Sequence, residues 1–219
     1  MMSQSRQAGS KGVAAKQRFV QLLHCLSRIF AEEGRPGGDA TAQALTDACA
    51  SPWHDPDPNQ WTPNFDVRHL LASAKQSPDA TVAGLAQAMD DAHDTYFWNS
   101  SKIPSLQPGT QLGDGILTAH VIGPEYAPAF HPTIKVGFFY QAANLNYPAR
   151  SHAAEETYFL VSGTGHWSAD HEPPQPQAPG QFIHHASLVP HSSTTDDHPI
   201  IAVWRWSGDI STDSYRLFA

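Results

Sequence analysis

Between residues 13 and 33 apolar side chains recur at helical intervals, at Phe19, Leu22, Leu23, Leu26, Ile29 and Phe30, before Gly34 and Pro36 supply a stop. The pattern predicts an amphipathic helix whose apolar face is explained by core packing. A second helix is expected over 39–50. The run SPWHDPDPNQWTP at 51–63 is too rich in Pro and Asp for regular structure. Two shorter helices are expected over 67–75 and 78–96, the latter with Ser77 as N-cap.

After Trp98 the texture changes. Gly, Pro and Thr separate short β-prone runs at 115–123, 134–141, 156–168, 181–189 and 200–206, which predict strands joined by turns. Ser162-Gly163-Thr164-Gly165 reads as a hairpin connection, and Ala178-Pro179-Gly180 as a turn ahead of a strand. No internal repeat or heptad pattern is present. The expected organisation is a disordered segment at 1–12, a mainly helical region at 13–104 and a β-barrel at 105–219, with the boundary a change of layer within one domain.

A chain of 219 residues can bury one ample core, which makes a single catalytic domain the default. A net charge of −8 and the lack of a Lys/Arg cluster argue against a nucleic-acid partner. Cys25 and Cys49 fit no Cys-x-x-Cys or zinc pattern and read as reduced thiols of a cytoplasmic protein. No signal-like or membrane-length apolar run occurs, so no membrane association is expected. With 13 His in the chain, only spacing can single out a ligand.

Spacing does so twice. His152, three residues, Glu156, six residues, Gly163 forms one interval set, and Gly180 to His191 forms another. These fit the two halves of a cupin metal site, although Ala186 and Leu188 stand where its second half has Pro and Gly, and Arg150 where its first half has a first His. Two imidazoles and one carboxylate, from His152, Glu156 and His191, leave coordination positions open for substrate on a divalent transition metal such as Zn, Fe or Mn. On a strand Glu156 and Tyr158 share one face while Glu155 and Thr157 share the other, which selects Glu156 over Glu155. Arg150 faces solvent or holds an anionic group of the substrate, and His184 and His185 are reserve ligands.

Taken together, Tyr147, His152, Glu156, Tyr158 and His191 resemble the cupin lyases that cleave dimethylsulfoniopropionate (DMSP) to dimethyl sulfide and acrylate. That family has a Tyr five residues before the ligand His, a His-x-x-x-Glu-x-Tyr run, and a last ligand His some 38 or 39 residues after the first, as here. The resemblance implies a mainly β fold, a cupin double-stranded β-helix barrel with a helical N-terminal extension. It also implies Tyr158 as general base and Tyr147 as a second phenol that orients substrate.

The chemistry is coherent on its own terms. A cation near the substrate carboxylate acidifies the neighbouring C–H, and a phenol beside a divalent ion ionises below its usual value of about 10. A sulfonium suits aromatic faces, for which Phe138, Phe139, Tyr140, Trp204 and Trp206 are candidates. Two other readings stay open at this level, an Fe(II)-dependent cupin dioxygenase and a non-catalytic cupin that binds a small acid. The expected partner is a small sulfonium carboxylate, and the sequence leaves a homodimer open.

Overall fold

A computed structural model describes residues 2–51, 65–100, 109–124, 127–170 and 172–218, the first ten through their backbone alone. The connection expected at 51–63 and the boundary at 104/105 therefore fall almost wholly outside the described residues.

Among the described residues four helices come first: α1 (Met2–Ala31), α2 (Pro36–Ala48), α3 (Arg68–Ala74) and α4 (Ala80–Asp91). The backbone of α1 is helical from Met2, within the segment expected to be disordered and ahead of the expected start at Val13. Apolar periodicity marks where a helix packs, and a helix once nucleated extends at small cost. The N-cap of α4 is Asp79, whose carboxylate accepts from the amides of Thr81 and Val82. The expected cap, Ser77, instead accepts from the Asp79 amide at 3.2 Å and so shapes the turn before the cap.

The remainder is β1 (Asn99–Ser100), α5 (Gln111–Gly115), β2 (Ile116–Gly123), β3 (Ala129–Phe130), β4 (Ile134–Gln141), β5 (Asn146–Ser151), β6 (Glu155–Ser162), β7 (Gly165–Ala169), β8 (Gln175–Gln177), β9 (Phe182–His185), β10 (His191–Thr195), β11 (Ile200–Ser207) and β12 (Arg216–Leu217). They form two sheets. One has the order β1-β2-β4-β11-β6-β9 with β3 beside β2, and the other the order β12-β5-β10-β7-β8. The strand expected over 156–168 is divided between the sheets as β6 and β7, because the chain turns at Gly163. Strand β5 was not foreseen, since Pro148 interrupts its pattern.

Every residue of β11 is buried, because helices cover one face of its sheet and the second sheet covers the other. Phe19, Leu22, Leu26 and Phe30 of α1 join Val136, Phe138, Val161 and Val203 in the helix-facing core. Phe139, Tyr158, Leu160, Trp204 and Trp206 belong to a second core between the sheets. Period-two alternation along β4, β6 and β11 divides their side chains between these two environments.

A buried ionic network crosses the helix-facing layer. Arg205 Nε donates to Glu33 Oε2 at 2.7 Å and Nη2 donates to both Glu33 Oε1 and Glu155 Oε1. Thr157 Oγ1 adds a bond to Glu33 Oε1 at 2.8 Å. Glu33 lies two residues past the end of α1, so this network ties the end of that helix to β6 and β11.

The two glycines of the cupin spacing have positive φ, 77° at Gly163 and 90° at Gly180. A Cβ at Gly163 would also collide with the carbonyl of Pro199. Leu188, where the cupin pattern has Gly, adopts φ 63° with its side chain 61% exposed. A side chain there bears left-handed strain without a packing return.

Two outcomes follow for stability. Glu33→Ala leaves the buried Arg205 short of its bidentate partner and should lower unfolding free energy by about 3 kcal/mol in chemical denaturation. Leu188→Gly should raise it, by up to about 1 kcal/mol, since relief of the left-handed strain outweighs the added freedom of the unfolded chain.

Candidate metal centre and active-site cavity

Strand β6 begins the site. Its alternation sends Glu156 and Tyr158 between the sheets and Glu155 and Thr157 toward the helices. His152 lies just before β6, and His191 opens β10 on the opposite sheet. His191 Nε2 lies 3.2 Å and His152 Nε2 3.6 Å from Glu156 Oε2, with all three side chains buried. One ligand atom from each falls within 4.8 Å of the others, a grouping that could hold a metal ion.

The hydrogen bonds around this group set its chemistry. His152 Nδ1 meets the Ala154 carbonyl at 3.0 Å and His191 Nδ1 the Val189 carbonyl at 2.9 Å. A carbonyl only accepts, so each Nδ1 carries a proton, and a neutral ring so held would present its Nε2 lone pair inward. Trp206 Nε1 donates to Glu156 Oε1 at 2.6 Å, which occupies one carboxylate oxygen and leaves Oε2 free. His152 Nε2, His191 Nε2 and Glu156 Oε2 are buried without a hydrogen-bond partner among the described residues. Three convergent, unsatisfied electron-pair donors fit a cation, and two imidazoles with one carboxylate fit a divalent transition metal.

Burial alone acts to raise the Glu156 carboxyl, but positive charge placed at the His152 and His191 positions brings it well below the ordinary carboxylate value. Burial, aided by Arg150, lowers His191. The carboxylate is thus ionised and His191 favours its neutral, ligating form.

Tyr158 stands two residues along the same face. Burial and the Glu156 charge push its phenol well above the ordinary value, and Arg150 opposes this only in part. Arg150 Nη2 donates to Tyr158 Oη over 3.4 Å, and its guanidinium lies 3.8 Å from the centroid of the Tyr147 ring. Tyr147 in turn shares a 2.7 Å hydrogen bond with Tyr215 Oη. Of the alternatives for Arg150, solvent exposure is excluded, because the residue is 2% exposed and lines the cavity.

The cavity brings together Tyr147, His152, Glu156 and Tyr158, with His191 behind them against Glu156. Among the aromatic candidates it is lined by Phe139, Trp204 and Trp206. Phe138 and Tyr140 are corrected: alternation turns them to the other face of β4, where Phe138 packs on Tyr96 and Tyr140 on Phe65. Of the reserve histidines, His184 faces the helices and bonds Thr157 Oγ1 at 3.2 Å. With Glu33 and Glu155 it forms a second His/Glu group, but Arg205 already supplies the cation there. His185 is buried and stacks on His191 with centroids 4.1 Å apart and planes 9° apart. Lys135, Thr212 and Tyr215 line the cavity without a local motif to announce them. Among the described residues no helix is long and apolar enough to cross a membrane.

The chain is 38% identical over 73 residues to the dimethylsulfoniopropionate lyase DddQ of Ruegeria pomeroyi, a match that spans 33% of this chain and only 36% of that relative. The crystal structure of DMSP lyase DddQ from Ruegeria pomeroyi DSS-3 superposes with a TM-score of 0.57 at 26% identity, covering 88% of this chain and 95% of that one. A chain from the crystal structures of the DMSP lyases RdDddP and RnDddQII gives 0.64 at 20% identity, covering 94% and 100%, a likeness of fold. The double-stranded β-helix barrel with its helical N-terminal layer is thus the cupin arrangement of those structures. The family model for dimethylsulfoniopropionate lyase matches residues 40–202, well over half of the chain, and the protein therefore belongs to the DMSP lyase family.

Proposed function

We propose that this protein is a metal-dependent DMSP lyase that forms dimethyl sulfide and acrylate by β-elimination, with Tyr158 as the base. The observation that carries the reading is the convergence of unpaired His152 Nε2, His191 Nε2 and Glu156 Oε2 beside Tyr158 in one cavity.

His152, Glu156 and His191 would hold the metal, and its positive charge, when bound, would favour both a phenolate and the charge that builds on the substrate as the C–H bond breaks. Tyr158 takes the proton from the carbon next to the carboxylate. That C–H electron pair becomes the new C=C bond, the bond from the β-carbon to sulfur breaks, and dimethyl sulfide leaves with its electron pair as a neutral molecule. The proton remains on Tyr158 until it passes to solvent. The phenol is raised by burial, so a nearby cation is needed before it can act as a base near neutral pH.

Tyr147 is held by Tyr215 and by the Arg150 guanidinium, which suits a phenol that orients substrate. Phe139 and Trp204 line the cavity and suit a sulfonium, a diffuse cation that loses little hydration against aromatic rings, whereas the Trp206 ring is already taken by Lys135 Nζ, 5.0 Å from its centroid, and by His152, 4.3 Å away. The partner is a small sulfonium carboxylate.

His152→Ala should abolish metal content, read by elemental analysis, and dimethyl sulfide release together. Tyr158→Phe should keep the metal and lose at least about a hundredfold in turnover; undiminished turnover would remove it as the base. Oxygen uptake without dimethyl sulfide would instead favour the dioxygenase reading. Trp206→Phe removes the donor that fixes Glu156 and should weaken metal affinity about tenfold or more in competition with a chelator.

A further inference from the structure

Arg150 enters the cavity from β5, opposite His191 in the β5–β10 register. One guanidinium face covers Tyr147, and Nη2 reaches Tyr158 Oη. Nη1 is buried without a hydrogen-bond partner among the described residues. A guanidinium is always charged and only donates, so a buried, unmatched N–H is unfavourable until an acceptor arrives.

The acceptor does not come from Glu156. Its Oε1 accepts from Trp206, and its Oε2 faces the two histidines. Lys135 lines the same cavity, its Nζ donating to the Ile210 carbonyl at 2.6 Å. Among the described residues, the charged side chains lining the cavity are thus two cations against one carboxylate, before any metal. An anion is the complementary guest, and the planar fork of Arg matches a carboxylate in particular.

We propose that Arg150 anchors the carboxylate of the bound substrate, so that its unpaired Nη1 edge makes this cavity selective for small carboxylates. The inference rests on the lyase reading for the identity of the substrate, while the anion site itself stands apart from turnover. Arg150 is a binding residue in this role. It sets the acid end of the substrate beside Tyr158, leaving the aromatic walls for the other end.

The test uses the metal-loaded protein and calorimetric titration with propionate and with propionamide, its uncharged counterpart. Wild type should bind propionate and discriminate strongly against propionamide. Arg150→Gln should weaken propionate binding about tenfold or more, with a rise in KM for DMSP that exceeds any fall in kcat. Arg150→Lys, which keeps the charge but not the fork, should recover part of the affinity. Equal affinity for the two ligands in wild type, or unchanged propionate binding in an Arg150→Gln variant of normal melting temperature and metal content, would overturn the proposal. Should Arg150→Gln not fold, the wild-type contrast and Arg150→Lys decide it. Propionate binding that depends on Arg150, without any cleavage of DMSP, would sustain the anchor and count against the lyase reading.

Discussion

The pairing of β6 with β11 is the constraint on which the rest of the molecule depends. It sets Glu156 opposite Trp206 and Thr157 opposite Arg205. Consecutive glutamates on β6 thereby receive different partners: Glu155 meets Arg205 on the helix side, and Glu156 meets Trp206 on the barrel side. A one-residue slip would exchange the two faces, bringing Arg205 into the cavity and Trp206 into the ionic network. The same register therefore fixes the N-terminal layer and prepares the carboxylate for its two imidazoles.

Much of this was legible because a strand has a period of two. Alternation on β6 distinguishes Glu156 from Glu155, and alternation on β11 puts Trp204 and Trp206 on one face. The spacing of Gly163 and Gly180 was legible too, and its reason is steric, since both occupy left-handed backbone. The same rule could have separated Phe139 from Phe138 and Tyr140, had the inward face of β4 been known in advance. A single strand shows which residues share a side but not which side is inside.

Other features have no local trace. Tyr215 reaches Tyr147 across 68 positions of sequence, and Lys135 meets the Ile210 carbonyl across 75. The fate of Arg150 depended on β5, a strand obscured by Pro148. Asp79 rather than Ser77 caps α4 because both are competent cap residues two positions apart, and only the turn geometry chooses between them. These are facts of assembly, decided when distant segments meet.

The imidazole orientations have a consequence for how such a site endures change. His152 and His191 are aimed by the carbonyls of Ala154 and Val189, atoms that every amino acid carries. Neighbouring side chains can drift without altering the acceptors, provided the backbone keeps its path. The aim of the histidines is inherited with the chain trace, whereas that of Glu156 is entrusted to one indole. The centre is tolerant of mutation around two of its corners, though not of the histidines themselves, and exposed to it around the third.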